Sequence, residues 1–386
     1  MKKKICGIAT KAVTIHSFMT GNLNYMVEKG YEAYCICNPD TTLTQGMLGK
    51  VIPHPIKMKW GNVSPFEVVK CVFKMYRFFR KEKIQVIQYA TANAGLYASI
   101  AGWLAGVPVR IFLQWGIAYP DYTGFRLWFY KTMEKITCLF ATSVQPDSKA
   151  NLQFAIDEKL FRPSKGSVIF NGSACGVNMQ RFDMSSREKW RTEIRGKYNI
   201  PADAMLVGFV GRVVPEKGIN ELLEAFDSIK DKHCYLMLVG STEEVSRLNV
   251  DLYNKSLAKD NVIYTGQVNN APAFFSAFDF LVLPSYREGF GMVVLESAAM
   301  GTPSIISNIK GPTDFVQDGL NGLVCDVKSV ESLRNAMERA INMGKEEYED
   351  LCHNAYLEVK THFDSELFKE EFFKNREFLL QQARNK

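Results

Sequence analysis

The sequence predicts an α/β protein of two doubly wound parallel-sheet domains, and three observations predict it. The chain has 386 residues, more than one hydrophobic core serves, so two domains of ordinary size are expected. Short β-rich apolar runs alternate with helical patterns from end to end, as in parallel sheets joined by crossover helices. The stretch from about Asn171 to Ala204 is polar and charge-dense without a strand pattern, and reads as a linker. The expected division is a first α/β domain over 1–180, a second over 181–366, and a closing helix over 367–386.

In chain order, the first half should place strands near Ile5–Ala9, Ala33–Cys37, Gln85–Tyr89, Val109–Leu113, Thr137–Ala141 and Ser167–Phe170. The second half should place them near Met205–Val210, Tyr235–Val239, Val262–Tyr264, Phe280–Leu283 and Ser304–Ser307. Between them, Ile219, Leu222, Leu223, Phe226 and Ile229 recur at helical spacing and should face a sheet. Leu367, Phe368, Phe372, Phe373, Phe378, Leu379 and Leu380 mark an amphipathic closing helix.

Composition bounds the function. At 47% hydrophobic and 23% charged residues, wholesale disorder is excluded. The apolar run after Met1-Lys2-Lys3-Lys4 is too short for the core of a signal peptide and reads as a buried strand. The best membrane-spanning candidate, Ala98 to Tyr119, is broken by Pro108 and Arg110. Nine scattered cysteines form no Cys-x-x-Cys pair, so free thiols in a reducing cytosol are expected, rather than a metal site or disulfide framework.

Charge is unevenly spread. Residues 1–180 carry 22 Lys+Arg against 10 Asp+Glu, a balance of +12, whereas 181–386 carry 25 against 31, a balance of −6. Lys70, Lys74, Arg77 and Lys81 recur at helical spacing as a basic stripe, while Phe66, Val69, Phe73 and Tyr76 line another face. Such a helix is either the solvated face of a core helix or a seat on anionic lipid. No nucleic-acid recognition motif accompanies it, and nucleic acid is not expected as a partner.

The strongest chemical signal is Pro284-Ser285-Tyr286-Arg287-Glu288-Gly289-Phe290-Gly291-Met292-Val293-Val294-Leu295-Glu296. It follows an apolar strand, carries two glycines in its loop and opens a helix. Free amides at a helix start suit an anion. Taken alone it is also a strand–turn–helix with two solvated glutamates. A second element decides against that reading. Gly211-Arg212-Val213-Val214-Pro215-Glu216-Lys217-Gly218 also joins an apolar strand to a helix, and places Arg212 and Lys217 where a diphosphate can be clamped.

With these residues the sequence resembles the retaining family-4 glycosyltransferases of the GT-B fold. The likeness extends to Val239-Gly240, Tyr264-Thr265-Gly266, Ala277-Phe278-Asp279 and Asp318-Gly319-Leu320-Asn321-Gly322-Leu323, and more weakly to Gly30-Tyr31-Glu32-Ala33 and Asn171-Gly172-Ser173. Within the family it looks most like enzymes building bacterial capsule, O-antigen or lipid-linked oligosaccharide. The resemblance implies two domains facing across a cleft and a nucleotide-sugar donor, expected to be UDP-linked. It further implies a glycan acceptor, expected to be lipid-linked, and a cytoplasmic protein peripheral on the inner face of the cell membrane.

The resemblance also implies roles. Arg212 and Lys217 would neutralise the donor diphosphate. Gly211, Glu288 and the segment Gly289, Phe290, Gly291, Met292 and Val293 would hold donor sugar and phosphate, and Glu296 the ribose. Where relatives often carry a His that positions the donor sugar in a Val-His-Gly-like segment, this chain has Leu113-Gln114-Trp115-Gly116; Trp115, expected on the acceptor side, cannot make the same hydrogen bonds. His16, in the loop after the first strand, is the nearest substitute, and joins Arg212, Lys217 and Glu288 as an expected catalytic residue. The chain has no Asp-x-Asp pair, so no metal and no other cofactor are expected. A GT-B-fold sugar-nucleotide epimerase and a nucleotide-sugar-binding partner subunit with weak catalysis remain open alternatives.

Overall fold

The computed structural model describes residues 2–40, 45–58, 64–117, 119–231 and 233–385. It divides into two units, Met1–Gly176 with Glu366–Lys386, and Val177–Ser365. Each is a six-stranded parallel sheet covered by helices.

In the first unit, β1 (Lys4–Ile8), β2 (Glu32–Ile36), β3 (Ile52–Pro53), β4 (Val86–Tyr89), β5 (Val109–Gln114) and β6 (Ser143–Pro146) lie in the order β3-β2-β1-β4-β5-β6. In the second, β7 (Met205–Val210), β8 (Cys234–Val239), β9 (Val262–Gly266), β10 (Phe280–Leu283), β11 (Ser304–Ser307) and β12 (Gly322–Cys325) lie in the order β12-β11-β10-β7-β8-β9. Both follow one doubly wound plan. The first strand of each unit pairs on one side with the second and on the other with the fourth. That reversal opens a crevice at the carboxyl ends of β1/β4 and of β7/β10, where open α/β sheets receive ligands.

The helices follow from local sequence. In the first unit the longer ones before the final helix are α1 (Thr20–Glu28), α2 (Pro65–Glu82), α3 (Ala92–Leu104), α4 (Gly124–Phe140) and α5 (Lys149–Asp157). Ser64 begins α2 with a full capping box: its side chain accepts from the Glu67 amide, Glu67 reaches back to the Ser64 amide, and Pro65 takes the first helical position. Cys71, Val72, Met75, Phe78 and Phe79 then form the buried face of α2. The second unit carries α6 (Arg187–Lys197), α7 (Ile219–Asp227), α8 (Val250–Leu257), α9 (Ala271–Ala277), α10 (Met292–Ala299), α11 (Val330–Ile341) and α12 (Lys345–His362). The apolar stripe expected between 219 and 229 is the buried face of α7.

The final helix, α13 (Ser365–Arg384), packs on the first unit. Phe368, Phe372 and Leu380 join Ile5, Ile15 and Val86 in one core. Lys3 bridges Glu377 at 2.6 Å, and the fully buried Arg376 lies 3.6 Å from the centre of the Phe372 ring and donates to Gln88 Oε1 at 3.0 Å.

The structure differs from the expected elements in four places. Thr137–Ala141 is not a strand: Thr137 donates to the Met133 carbonyl inside α4, whose aromatic-rich first half hides the helical period. Ser167–Phe170 carries no strand, and the neighbouring Gly166 makes only an isolated bridge to Val144. The short strands β3, β6 and β12 were not expected, since none is long enough to show a clear pattern. The stretch 171–204 is no bare linker, because it holds α6, whose Arg191 and Arg195 grip Asp279 at 2.6 and 2.7 Å.

Candidate active site

The loops after β7 and β10 meet at the ligand edge of the second sheet. Tyr286 N donates to the Glu216 carbonyl at 3.0 Å, and the Tyr286 hydroxyl donates to Glu221 at 2.6 Å. Two glycines permit the approach. Gly218, at φ +70°, begins α7 so close to Pro284 that a Cβ would lie inside that residue's carbonyl oxygen. Gly311, at φ +95°, stands in the same relation to the Gly289 carbonyl. Gly218→Ala should therefore cost about 1–3 kcal/mol, both from the left-handed backbone and from forcing the loops apart. A thermal melt should show a Tm several degrees lower; an unchanged Tm would mean the loops yield freely.

Within this frame Lys217 Nζ reaches Glu288 Oε1 at 2.5 Å, and Ser285 Oγ donates to the same oxygen at 2.8 Å. Glu288 is only 12% exposed, so the pair is well shielded from solvent screening. Among the described residues Oε2 has no partner and remains available to a ligand hydroxyl.

Gly291 then starts α10 with no side-chain cap, leaving the first-turn amides of Met292 and Val293 at the positive end of the helix. Phe290 turns the other way, into the core beside Phe363. It supports the loop with its ring and could offer a ligand only backbone. Glu296 stands further along α10. Burial raises its carboxyl from the usual range to about 7, and the positive charge of Arg181 opposes that shift.

Arg212 and Lys217 leave the same loop toward different carboxylates. Arg212 is 64% exposed and pairs with Glu244 at 3.0 Å, which Arg247 also binds at 2.7 Å. A joint clamp on one diphosphate therefore requires Arg212 to turn away from Glu244. In the first unit, His16 is not in a loop. It is exposed on a π-helical turn, Ile15–Met19, because Ala12, Ile15, Met19, Leu23 and Met26 recur at helical spacing and fill the core. The Phe18 ring of that turn meets half-buried Trp115 at 5.5 Å, so both sequence candidates belong to one corner of the unit. Lys70, Lys74, Arg77 and Lys81 are exposed on α2.

Residues 191–358 match the family described as glycosyl transferases group 1. The chain is 28% identical over 372 residues to the capsular polysaccharide biosynthesis glycosyltransferase CapM of Staphylococcus aureus, covering 96% of this chain and 95% of that one. The chain is a glycosyltransferase of the GT-B fold that resembles the family-4 enzymes. A further relative of this glycosyltransferase is the Escherichia coli UDP-Gal:alpha-D-GlcNAc-diphosphoundecaprenol alpha-1,3-galactosyltransferase, 24% identical with 80% of each chain covered. In fold it superposes on a glycosyltransferase of Rickettsia africae with a TM-score of 0.81 at 18% identity, covering 98% of this chain and 99% of that one.

The matched segment contains the whole second sheet and both loops of the candidate site. Sequence reasoning missed Ser285, Tyr286 and Arg181. Ser285 and Tyr286 lie inside the quoted motif, but nothing local shows that they hold Glu288 and the facing loop. Arg181 lies in the stretch taken for a linker, and no pattern there points to Glu296.

Proposed function

We propose that this glycosyltransferase moves a sugar from a UDP-sugar, with retention of configuration, onto a lipid-linked glycan during synthesis of a bacterial surface polysaccharide. The observation that carries the reading is the Lys217–Glu288 pair, joined across two loops beside the α10 N-terminus. A cation and a set of helix amides can neutralise a departing diphosphate, while the free oxygen of Glu288 orients a sugar hydroxyl. The donor C1–phosphate bond breaks, the acceptor oxygen bonds to C1 on the same face, and its proton passes to the leaving phosphate. Neither Glu288 nor Glu296 need form a covalent intermediate.

Glu296 binds the ribose, and Arg212 completes the clamp once it leaves Glu244. Trp115 belongs to the acceptor side, and His16 in the same corner is the candidate to orient the donor sugar. The UDP donor and lipid-linked acceptor are supported by the E. coli relative, whose name specifies both, and a role in capsule synthesis by CapM. Among the described residues no helix is long and apolar enough to cross a membrane, which is compatible with a protein reaching its acceptor from the membrane surface.

A thermal-shift screen of UDP- and GDP-sugars tests the donor, since a ligand that binds only the folded chain stabilises it. Failure of every UDP-sugar to raise Tm would overturn the donor assignment. Isotopic transfer to lipid extracts tests the reaction and separates it from epimerisation, which needs no acceptor. Because Arg212, Lys217 and helix amides supply the positive charge, transfer should persist in excess EDTA. Loss of activity restored by Mn²⁺ or Mg²⁺ would show that a metal does this work.

A further inference from the structure

We infer that the outer faces of α2 and α4 form an aromatic-anchored seat on an anionic lipid bilayer, which holds the acceptor edge of the first unit against the membrane. This rests on the reading that this edge receives a lipid-linked acceptor. The basic stripe alone suggested an electrostatic contact; the structure adds an apolar one beside it.

Phe66, Val69 and Phe73 of α2 are not core residues. They stand exposed, Phe66 at 76%, because Cys71, Val72, Met75, Phe78 and Phe79 form the face that packs inward. On α4, Phe125 is 74% and Trp128 60% exposed, with Phe129 beside them. Exposed aromatic clusters of this kind mark interaction surfaces.

Topology places both clusters at the same edge. α2 follows β3 and leads into β4, and α4 follows β5 and leads into β6, so each helix begins at the carboxyl edge of the sheet and runs back. Phe66, Val69 and Phe73 occupy the first turns of α2; Phe125, Trp128 and Phe129 occupy the first turns of α4. Both helices pack on the intervening α3 and share one layer.

Charge favours anionic lipid over a protein partner. All three acidic side chains of these helices are engaged inward or along the chain: Glu67 in the cap of α2, Glu82 with Lys4, and Glu134 with Gln114. Lys70, Lys74, Arg77, Arg80 and Lys81 remain exposed beside the aromatic stripe, and the Arg77 guanidinium lies 5.9 Å from the Phe73 ring centre. Aromatic side chains at headgroup depth with basic side chains among them are how a monotopic surface holds to a charged bilayer.

The test is sedimentation with phosphatidylglycerol/phosphatidylcholine vesicles at about 0.1 M and about 1 M salt, where screening separates electrostatic from apolar binding. Wild-type protein is expected to bind at both concentrations. Its tryptophan emission should be quenched by brominated acyl chains, and Trp128→Phe should remove most of that quenching. Replacing Phe66, Phe73, Phe125 and Trp128 with Ser should lower the high-salt bound fraction at least about tenfold. The variant's unchanged Tm would show that it folds. No binding at low salt, binding wholly stripped by salt, or loss of free faces to a stable dimer in solution would each overturn the inference. Isotopic transfer to detergent-solubilised lipid extracts is read separately without vesicles, so failure of the lipid-linked-acceptor reading and failure of the seat are distinguishable.

Discussion

Replacing Lys217 with alanine should lower kcat/KM for sugar transfer by at least about a hundredfold. Removing one member of a hydrogen-bonded charge pair from a shielded site costs ~2–5 kcal/mol, and each 1.4 kcal/mol is about tenfold in rate. The ammonium has two tasks here. In the structure it holds Glu288 in place at 2.5 Å; in the proposed reaction it would face growing charge on the leaving diphosphate as the sugar–phosphate bond breaks. Its loss therefore removes stabilisation from the transition state and leaves Glu288 with Ser285 as its remaining donor. Arg212→Ala should reduce kcat/KM by less, because the guanidinium must first give up Glu244 and is largely open to solvent. Steady-state kinetics on variants with wild-type melting curves decide the matter. Near-normal turnover by Lys217→Ala would remove this residue from the diphosphate site.

Glu296→Ala and Glu288→Ala should separate binding from transfer. If Glu296 accepts ribose hydroxyls, its loss weakens UDP binding by about tenfold to a hundredfold, the ~1.5–3 kcal/mol of hydrogen bonds to a charged group. Glu288→Ala should leave UDP affinity unchanged or higher, because it frees Lys217 for phosphate, and yet depress transfer. Equal losses of UDP affinity in both variants would show that the two carboxylates are wrongly assigned. Isothermal titration gives both numbers.

Glu296 also has a pH signature. Its carboxyl is raised by burial from 4.5 to about 7 in the folded chain. Between those values the folded chain keeps a proton that the unfolded chain has lost, so this group's contribution to stability falls as pH rises through the window. Glu134, raised to about 7 by burial against one hydrogen bond from Gln114, acts in the same direction. Glu296→Gln should therefore raise Tm above pH 7 and leave it unchanged near pH 4. UDP affinity should rise through about pH 7, since the ionised form accepts hydroxyls better. The phosphate of UDP titrates nearby, but equally in wild type and Glu296→Gln, so the difference between them isolates the carboxyl.

The sequence by itself determined the two-sheet α/β plan, most of its strands and the two loops that meet at the candidate site. Those features are local: an apolar run bounded by turn residues, such as Met205–Val210, carries its own strand pattern, and glycines around Lys217 and Glu288 mark tight turns. Only the tertiary structure decided which strand neighbours which, and with it that Lys217 meets Glu288 across 71 residues, while Arg212 turns to Glu244. It also decided which face of α2 is buried. Both faces of that helix carry aromatic residues, so periodicity alone does not choose between them. The packing of α2 on α3 places Phe78 and Phe79 in the core and leaves Phe66 and Phe73 outside. Burial raises Glu296 and Glu134 for the same reason. A carboxyl's surroundings are assembled from residues distant along the chain, and no local pattern records them.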